Sequence, residues 1–269
     1  MKIIRFVDEK AIVRYGRPLD DGFTKAVLLK GDPYDGFKET RTKVAVHKLL
    51  APVDPAAILC VGLNYRQHAV ETHAPIPDEP VLFMKNPAAL NHPGDPIIIP
   101  ASCSHPPEVD YEVELAVVIK QTARDVKADE ALAYVAGYTI GNDVSARTWQ
   151  KRRSGGQWVR GKSFDTFCPL GPVLVTPDEI DDPQSLGLSC RLNGKPLQEA
   201  NTSDMIFTVA QLIEHLSAGM TLVMGTVILT GTPSGVGVAR SPQVFLKPGD
   251  RLELSIDRIG TLVCPVEGA

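Results

Sequence analysis

The chain has 269 residues, 43% of them hydrophobic and 22% charged, with 28 Lys and Arg against 32 Asp and Glu and a net charge of −4. That balance excludes a disordered polyampholyte, supplies apolar side chains for a sizeable core, and lacks the basic excess of a nucleic-acid-binding surface. The length suits one large domain or a large domain with a small one, and 22 glycines and 22 prolines predict many turns.

From residue 2 to about 48, short apolar runs broken by Gly and Pro predict a small β meander. Pro52-Val53-Asp54-Pro55 has the composition of a linker, which divides the chain into a small N-terminal β domain, 1–52, and a larger domain, 53–269. Beyond it, apolar runs at 58–62, 81–85 and 96–100 predict buried strands bounded by turn residues. Further strands are expected at 114–120, 137–142, 186–192, 227–230, 251–256 and 260–266. Helical spacing occurs at 128–136 and 209–216, the second preceded by Thr208 as a cap. Strands outnumber helices without alternating with them, so a strand-rich α+β fold is expected and neither a Rossmann fold nor a TIM barrel.

No membrane-spanning helix is expected, since no apolar run reaches roughly 18 residues. The first nine residues have neither a signal-peptide nor a transit-peptide pattern, and the five cysteines are far apart with no C-x-x-C pair. A cytoplasmic protein with reduced thiols and no cysteine metal site is the expectation.

The segment Val109-Asp110-Tyr111-Glu112-Val113-Glu114-Leu115-Ala116 carries the strongest chemical signal. A strand has period two, so Asp110, Glu112 and Glu114 share one face while Tyr111, Val113 and Leu115 share the other. Such a face can simply be solvated. The segment nevertheless runs into 116–119, apolar on both faces, which draws Glu114 inward, where a carboxylate needs a counter-charge. Asp143 ends another apolar strand, unless it is only a turn residue. Two glutamates at i and i+2 with this aspartate make a hard-oxygen set favouring Mg²⁺, Mn²⁺ or Ca²⁺ over Zn²⁺.

His68 and Glu71 lie three apart and meet on one face if 64–71 is helical, as a general base with its orienting carboxylate or as a plain surface pair. Pro75, Pro77 and Pro80 follow, the composition of an irregular lid. Residues 156–163 satisfy the P-loop expression G-x-x-x-x-G-K-[ST], but no buried strand precedes it and Trp158, Val159 and Arg160 fill it. Lys162 is better placed as a cation aimed at the carboxylates, the alternative being a surface lysine, and the basic run 151–153 reads as a solvated loop. The turn after Thr230, Gly231-Thr232-Pro233-Ser234-Gly235, can offer backbone N–H groups and a hydroxyl to a carboxylate, or be no more than a tight turn. The G-x-S-x-G and H-E-x-x-H signatures of serine hydrolases and zincins are lacking.

Taken together and in this order, Gly62-Leu63-Asn64-Tyr65 with His68 and Glu71, Glu112-x-Glu114, Asn142-Asp143-Val144-Ser145-Ala146-Arg147 with Gln150, Gly161-Lys162-Ser163-Phe164-Asp165 and Leu229-Thr230-Gly231-Thr232-Pro233 resemble the fumarylacetoacetate hydrolase superfamily. The 149–172 stretch looks most like the branch called fumarylacetoacetate hydrolase domain-containing protein 2, whose eukaryotic members are assigned to oxaloacetate enol–keto tautomerisation. The resemblance implies a mixed β-roll with a small N-terminal domain, assembled as a homodimer, and Mg²⁺ or Mn²⁺ held by Glu112, Glu114 and Asp143. It implies His68 and Glu71 as a lid-borne catalytic dyad, Lys162 as a stabiliser of developing negative charge, and Arg147, Gln150 and Thr232 near a short 2-oxo acid substrate. Two departures stand out. The aspartate that founding hydrolases place upstream of the dyad histidine is replaced here by apolar residues and Gly, and Arg147-Thr148 replaces the commoner Arg-Asp. The expected activity is hydrolysis of a C–C bond in an acylpyruvate-type substrate, with oxaloacetate tautomerisation or decarboxylation as the alternative; a non-catalytic binding protein with a structural metal is the reading of another class.

Overall fold

A computed structural model describes residues 1–153 and 155–269. Its main sheet has twelve strands. In spatial order ten of them run Gly36–Ala45, Lys25–Asp32, Val13–Pro18, Lys2–Val7, Cys168–Val175, Val135–Asn142, Val113–Ile119, Thr226–Leu229, Ala57–Gly62 and Val81–Lys85. Lys48–Leu50 pairs with the first strand, and Leu90–Asn91 lies parallel to Cys168–Val175. The expected N-terminal meander is present, and its first strand continues the same sheet through Lys2↔Val175 and Ile3↔Leu174.

A five-stranded sheet, ordered Lys195–Asn201, Gly187–Leu192, Arg251–Ile256, Gly260–Gly268 and Ile97–Ile99, packs against the middle of the large one. Alternation in Arg251–Ile256, where Leu252, Leu254 and Ile256 are buried, supplies the inward face of this second layer. Val113–Ile119 and Val135–Asn142 are buried at every residue because neighbouring strands flank them and both faces are covered. Their antiparallel register sets Val113 opposite Asn142 and Glu114 opposite Gly141, so the acidic end of one strand meets the end of the other that leads into Asp143.

The helix Val209–Ser217 forms where the spacing predicts it. Thr208 and Gln211 make a reciprocal capping box, and Val209, Leu212, Ile213 and Leu216 are buried along one stripe. The helix expected at 128–136 does not form. Only Ala131–Tyr134 makes a 3₁₀ turn, and Val135 begins a strand. Pairing of Ile119 with Val135, with the Lys120 N–H bonded to the Tyr134 carbonyl at 2.7 Å, takes the apolar residues that helical spacing had claimed. The strand Cys168–Val175, unmarked in the sequence because Pro169, Gly171 and Pro172 look like breakers, lies inside the main sheet. Its ladder with Val135–Asn142 is irregular in register, which accommodates residues without a usable N–H.

Candidate active site

Glu112, Glu114 and Asp143 each offer an oxygen such that the three atoms lie within 4.8 Å of one another, and all three side chains are buried. Backbone pairing causes the convergence. Glu112 sits in the break between Val109–Asp110 and Val113–Ile119; its N–H donates to Asn142 Oδ1 at 3.1 Å, and its carbonyl accepts from the Asp143 N–H at 3.0 Å. A solvated strand face and a plain turn at Asp143 are therefore both excluded. Asp110 is buried too but turns to other work: it accepts from the N–H groups of Tyr111, Gly237 and Val238 and from Arg147 Nε, all at 2.8–2.9 Å.

Three cations face these four carboxylates. Lys162 is buried, with Nζ 2.7 Å from Glu112 Oε2 and 2.6 Å from Asp143 Oδ2, so the surface-lysine alternative is excluded. Arg147 places NH2 2.8 Å from Asp110 Oδ2 and 2.7 Å from Glu112 Oε1, while NH1 donates to Gln150 Oε1 at 3.1 Å. Asp110 thus orients the guanidinium despite Thr148 standing where an aspartate is commoner; the Thr148 N–H itself bonds Glu108 Oε2. The third cation, Lys85, is absent from the sequence expectations. It ends the strand Val81–Lys85, is 1% exposed, and lies 2.7 Å from Asp143 Oδ1 while donating to the carbonyls of Val144, Lys162 and Phe167. A lysine closing an apolar strand run was the one signal that could have found it.

Burial opposes charge at each of these groups. Burial raises the Glu112 carboxyl, but Lys162 and Arg147 outweigh it and hold the group well below its ordinary range. Burial also opposes the charge on Lys162, and Asp143 and Glu112 outweigh it, raising the ammonium above its ordinary value. For Glu114, burial and then the charges of Asp143 and Glu112 push the carboxyl well up, against which the charge of Lys162 and one N–H, from Gly231 at 2.7 Å, are weak counterweights. Asp143 Oδ1 is buried without a well-aligned hydrogen-bond donor, Lys85 contacting it as an ion pair only. An oxygen-only donor set in which Glu114 has no ion-pair partner among the described residues suits a divalent hard cation held by Glu112, Glu114 and Asp143.

The short helix Arg66–Glu71 forms as expected and sets His68 Nδ1 2.7 Å from Glu71 Oε1. Glu71 is fixed in turn by the Gly235 N–H, 2.8 Å from Oε2. Gly235 has φ +104°, and a Cβ there would lie 2.1 Å from the Leu197 carbonyl oxygen, so the support of the dyad requires glycine. The turn after Thr230 is thus more than a reversal: Gly231 holds Glu114, Gly235 holds Glu71, and Thr232 Oγ1 donates to the Val113 carbonyl while accepting from Gln198 Nε2 at 2.8 Å. Gln198, buried and unmarked in the sequence, also accepts from the Val113 N–H, tying this turn to the acidic strand.

A pocket of about 230 Å³ joins these groups. His68, Glu112, Glu114, Asp143, Arg147, Gln150, Lys162 and Thr232 line it, and Glu71 stands behind His68. Apolar walls come from Val61, Phe83, Trp158 and Val236, of which Val61 belongs to the acid-free stretch upstream of His68. Gly62 admits the Trp158 ring: a Cβ there would be 2.3 Å from it. Residues Val159–Lys162 make one helical turn that delivers Lys162 to the carboxylates, so the P-loop expression in this stretch has no phosphate-wrapping loop behind it.

Fold and site together define a strand-rich enzyme scaffold in which a buried carboxylate cluster and a His–Glu pair share one small pocket. Residues 57–267 match the family described as fumarylacetoacetate (FAA) hydrolase C-terminal. The chain belongs to the fumarylacetoacetate hydrolase family. It is 50% identical over 215 residues, 80% of its own length and 68% of the relative's, to the mitochondrial oxaloacetate tautomerase FAHD2A of Bos taurus. It is 52% identical over 205 residues, 76% of its length and 70% of the relative's, to a 2,4-didehydro-3-deoxy-L-rhamnonate hydrolase of Sphingomonas sp. (strain SKA58). Among solved structures, a 5-carboxymethyl-2-hydroxymuconate delta-isomerase from Mycobacterium smegmatis superposes with a TM-score of 0.86 at 37% identity, covering 100% of both chains.

Proposed function

We propose that the protein is a divalent-cation-dependent oxaloacetate enol–keto tautomerase. The observation that carries this is the half-identity, across four-fifths of the chain, to a protein named as that tautomerase. It displaces acylpyruvate C–C hydrolysis, the activity first expected from the family pattern.

The cation, held by Glu112, Glu114 and Asp143, would act as a Lewis acid on the substrate's 1-carboxylate and 2-oxygen. Lys162, held by Glu112 and Asp143, supplies positive charge and a hydrogen bond where negative charge develops on that oxygen. His68 handles the proton at C3. Glu71 engages Nδ1, which leaves Nε2 for exchange with substrate. In ketonisation one proton leaves the C2 hydroxyl and one arrives at C3 while the C2=C3 π bond gives way to C2=O, so no water is consumed and no carbon–carbon σ bond is broken. Arg147 holds Glu112 and positions Gln150 rather than offering a free fork to substrate. A homodimer, as the family resemblance implies, is part of the same proposal.

A second reading, hydrolysis of a 2,4-dioxo sugar acid, is supported by the 52% identity to the Sphingomonas enzyme. It uses the same groups but needs His68 to activate water onto a distal carbonyl. The deciding experiment follows the loss of enol-oxaloacetate absorbance beside cleavage of a panel of 2,4-dioxo acids, each with Mg²⁺, Mn²⁺ or chelator. Tautomerisation that depends on His68 and on metal supports the first reading. Cleavage without acceleration of tautomerisation establishes the second.

A further inference from the structure

Among the described residues, every lysine and arginine of the site is engaged with a carboxylate except one. Lys162 bridges Glu112 and Asp143, Arg147 bridges Asp110 and Glu112, and Lys85 contacts Asp143. Lys151 also lines the pocket and has no ion-pair or hydrogen-bond partner among the described residues. It belongs to the π-helical segment Trp149–Arg153, directly after the buried Gln150, and is exposed.

The local electrostatics place its charge beside the site. Burial, and next the Arg147 guanidinium, lower the Lys151 ammonium below its ordinary value, while Glu112 and Asp110 oppose that shift. An anionic group entering near Lys151 meets an ammonium that no carboxylate among the described residues contacts. Val236 and Val238, which also line the pocket, give a carboxylate no partner.

From this geometry we infer that Lys151 forms a distal-carboxylate subsite, selecting 2-oxo dicarboxylates over 2-oxo acids with an uncharged far end. This rests on the proposed binding of the substrate's 1-carboxylate and 2-oxygen at the Glu112, Glu114 and Asp143 end, and it names the substrate class of that site. Its neighbours Arg152 and Arg153 do not line the pocket.

The test uses two ligands of equal chain length: oxaloacetate, with its C4 carboxylate, and 2-oxobutanoate, with a methyl group there. Stopped-flow quenching of tryptophan fluorescence reports binding directly, since Trp158 lines the pocket. Wild type, Lys151→Gln and Lys151→Arg are compared with Mg²⁺ present at moderate ionic strength. The expected result is that Lys151→Gln weakens oxaloacetate binding roughly fivefold to tenfold while leaving 2-oxobutanoate unchanged, and that Lys151→Arg restores the preference. Equal affinity of Lys151→Gln and wild type for oxaloacetate overturns the inference, as does an equal loss for both ligands, which would mark Lys151 as shaping the whole pocket. Turnover of enol-oxaloacetate by wild type is measured in parallel. Its absence overturns the tautomerase reading while the binding comparison still decides the subsite.

Discussion

Lys85 Nζ lies 2.7 Å from Asp143 Oδ1, and the same ammonium ties together the carbonyls of Val144, Lys162 and Phe167. One buried cation therefore sets the side chain of a carboxylate in the cluster and the backbone of the lysine that faces it. The strand bearing Lys85, the segment after Asp143 and the helical turn ending at Lys162 cannot shift independently while that contact holds.

Lys85→Met is expected to destabilise the fold by about 3–5 kcal/mol, since it removes the ion-pair partner of Asp143 Oδ1 and the donor to three buried carbonyls. Affinity for Mn²⁺ should fall by roughly 10–100-fold, the usual cost of losing an outer partner of a ligand. Thermal unfolding and a metal titration of the folded variant check the two effects separately.

His68→Ala should lower the tautomerisation rate by about 10²–10⁴-fold and leave Mn²⁺ affinity unchanged, because His68 acts on a proton and holds none of the cluster. Glu71→Gln should also be costly, since an amide whose oxygen accepts from Gly235 turns its NH2 toward Nδ1 and so fixes the tautomer with Nε2 protonated. A comparable fall in metal affinity in either variant would show that the dyad supports the carboxylate cluster instead.

Removal of metal should expose the strain at Glu114. Burial and the charges of Asp143 and Glu112 raise its carboxyl in the folded chain well above the ordinary 4.5. A raised value means that the folded state binds the proton more tightly than the unfolded state does. Chelator-treated protein is therefore expected to lose stability as pH rises from about 4.5 through the folded value. Glu114→Gln should flatten that dependence and melt higher than wild type in chelator near neutral pH, and it should lose most of the stabilisation that Mg²⁺ gives wild type. Melting curves across pH, with and without Mg²⁺, read all three effects.

Gly62→Ala should disturb the pocket wall without touching a charged group. Its Cβ would meet the Trp158 ring at 2.3 Å, and that ring also packs edge-on against Phe83 with centroids 5.3 Å apart. Displacing it is expected to cost about 1–3 kcal/mol of stability and to raise KM more than it lowers kcat. Tryptophan emission and steady-state kinetics on the same preparation measure both.

Much of the chemistry was legible in the sequence because it follows from backbone period. Alternation at 110–114 put Glu112 and Glu114 on one side of an extended segment, and three-residue spacing put His68 against Glu71. The capping signal at Thr208 located the helix Val209–Ser217 for the same local reason. Local pattern failed where pairing across the sheet overrode it: 128–136 became a 3₁₀ turn and a strand start, and proline-rich Cys168–Val175 became an inner strand.

By itself, then, the sequence determined a strand-rich chain with inward-facing acids, an acid–base pair and a lysine suited to answer them. Tertiary structure alone decided which charge meets which. Asp143 is contacted by Lys85 and Lys162 from two different elements, Arg147 is oriented by Asp110 instead of by its own neighbour, and Gly235 reaches back to Glu71. The physical reason is that periodicity specifies the direction of a side chain relative to its own backbone, whereas the energy of a buried charge depends on partners brought from distant segments by strand register and packing.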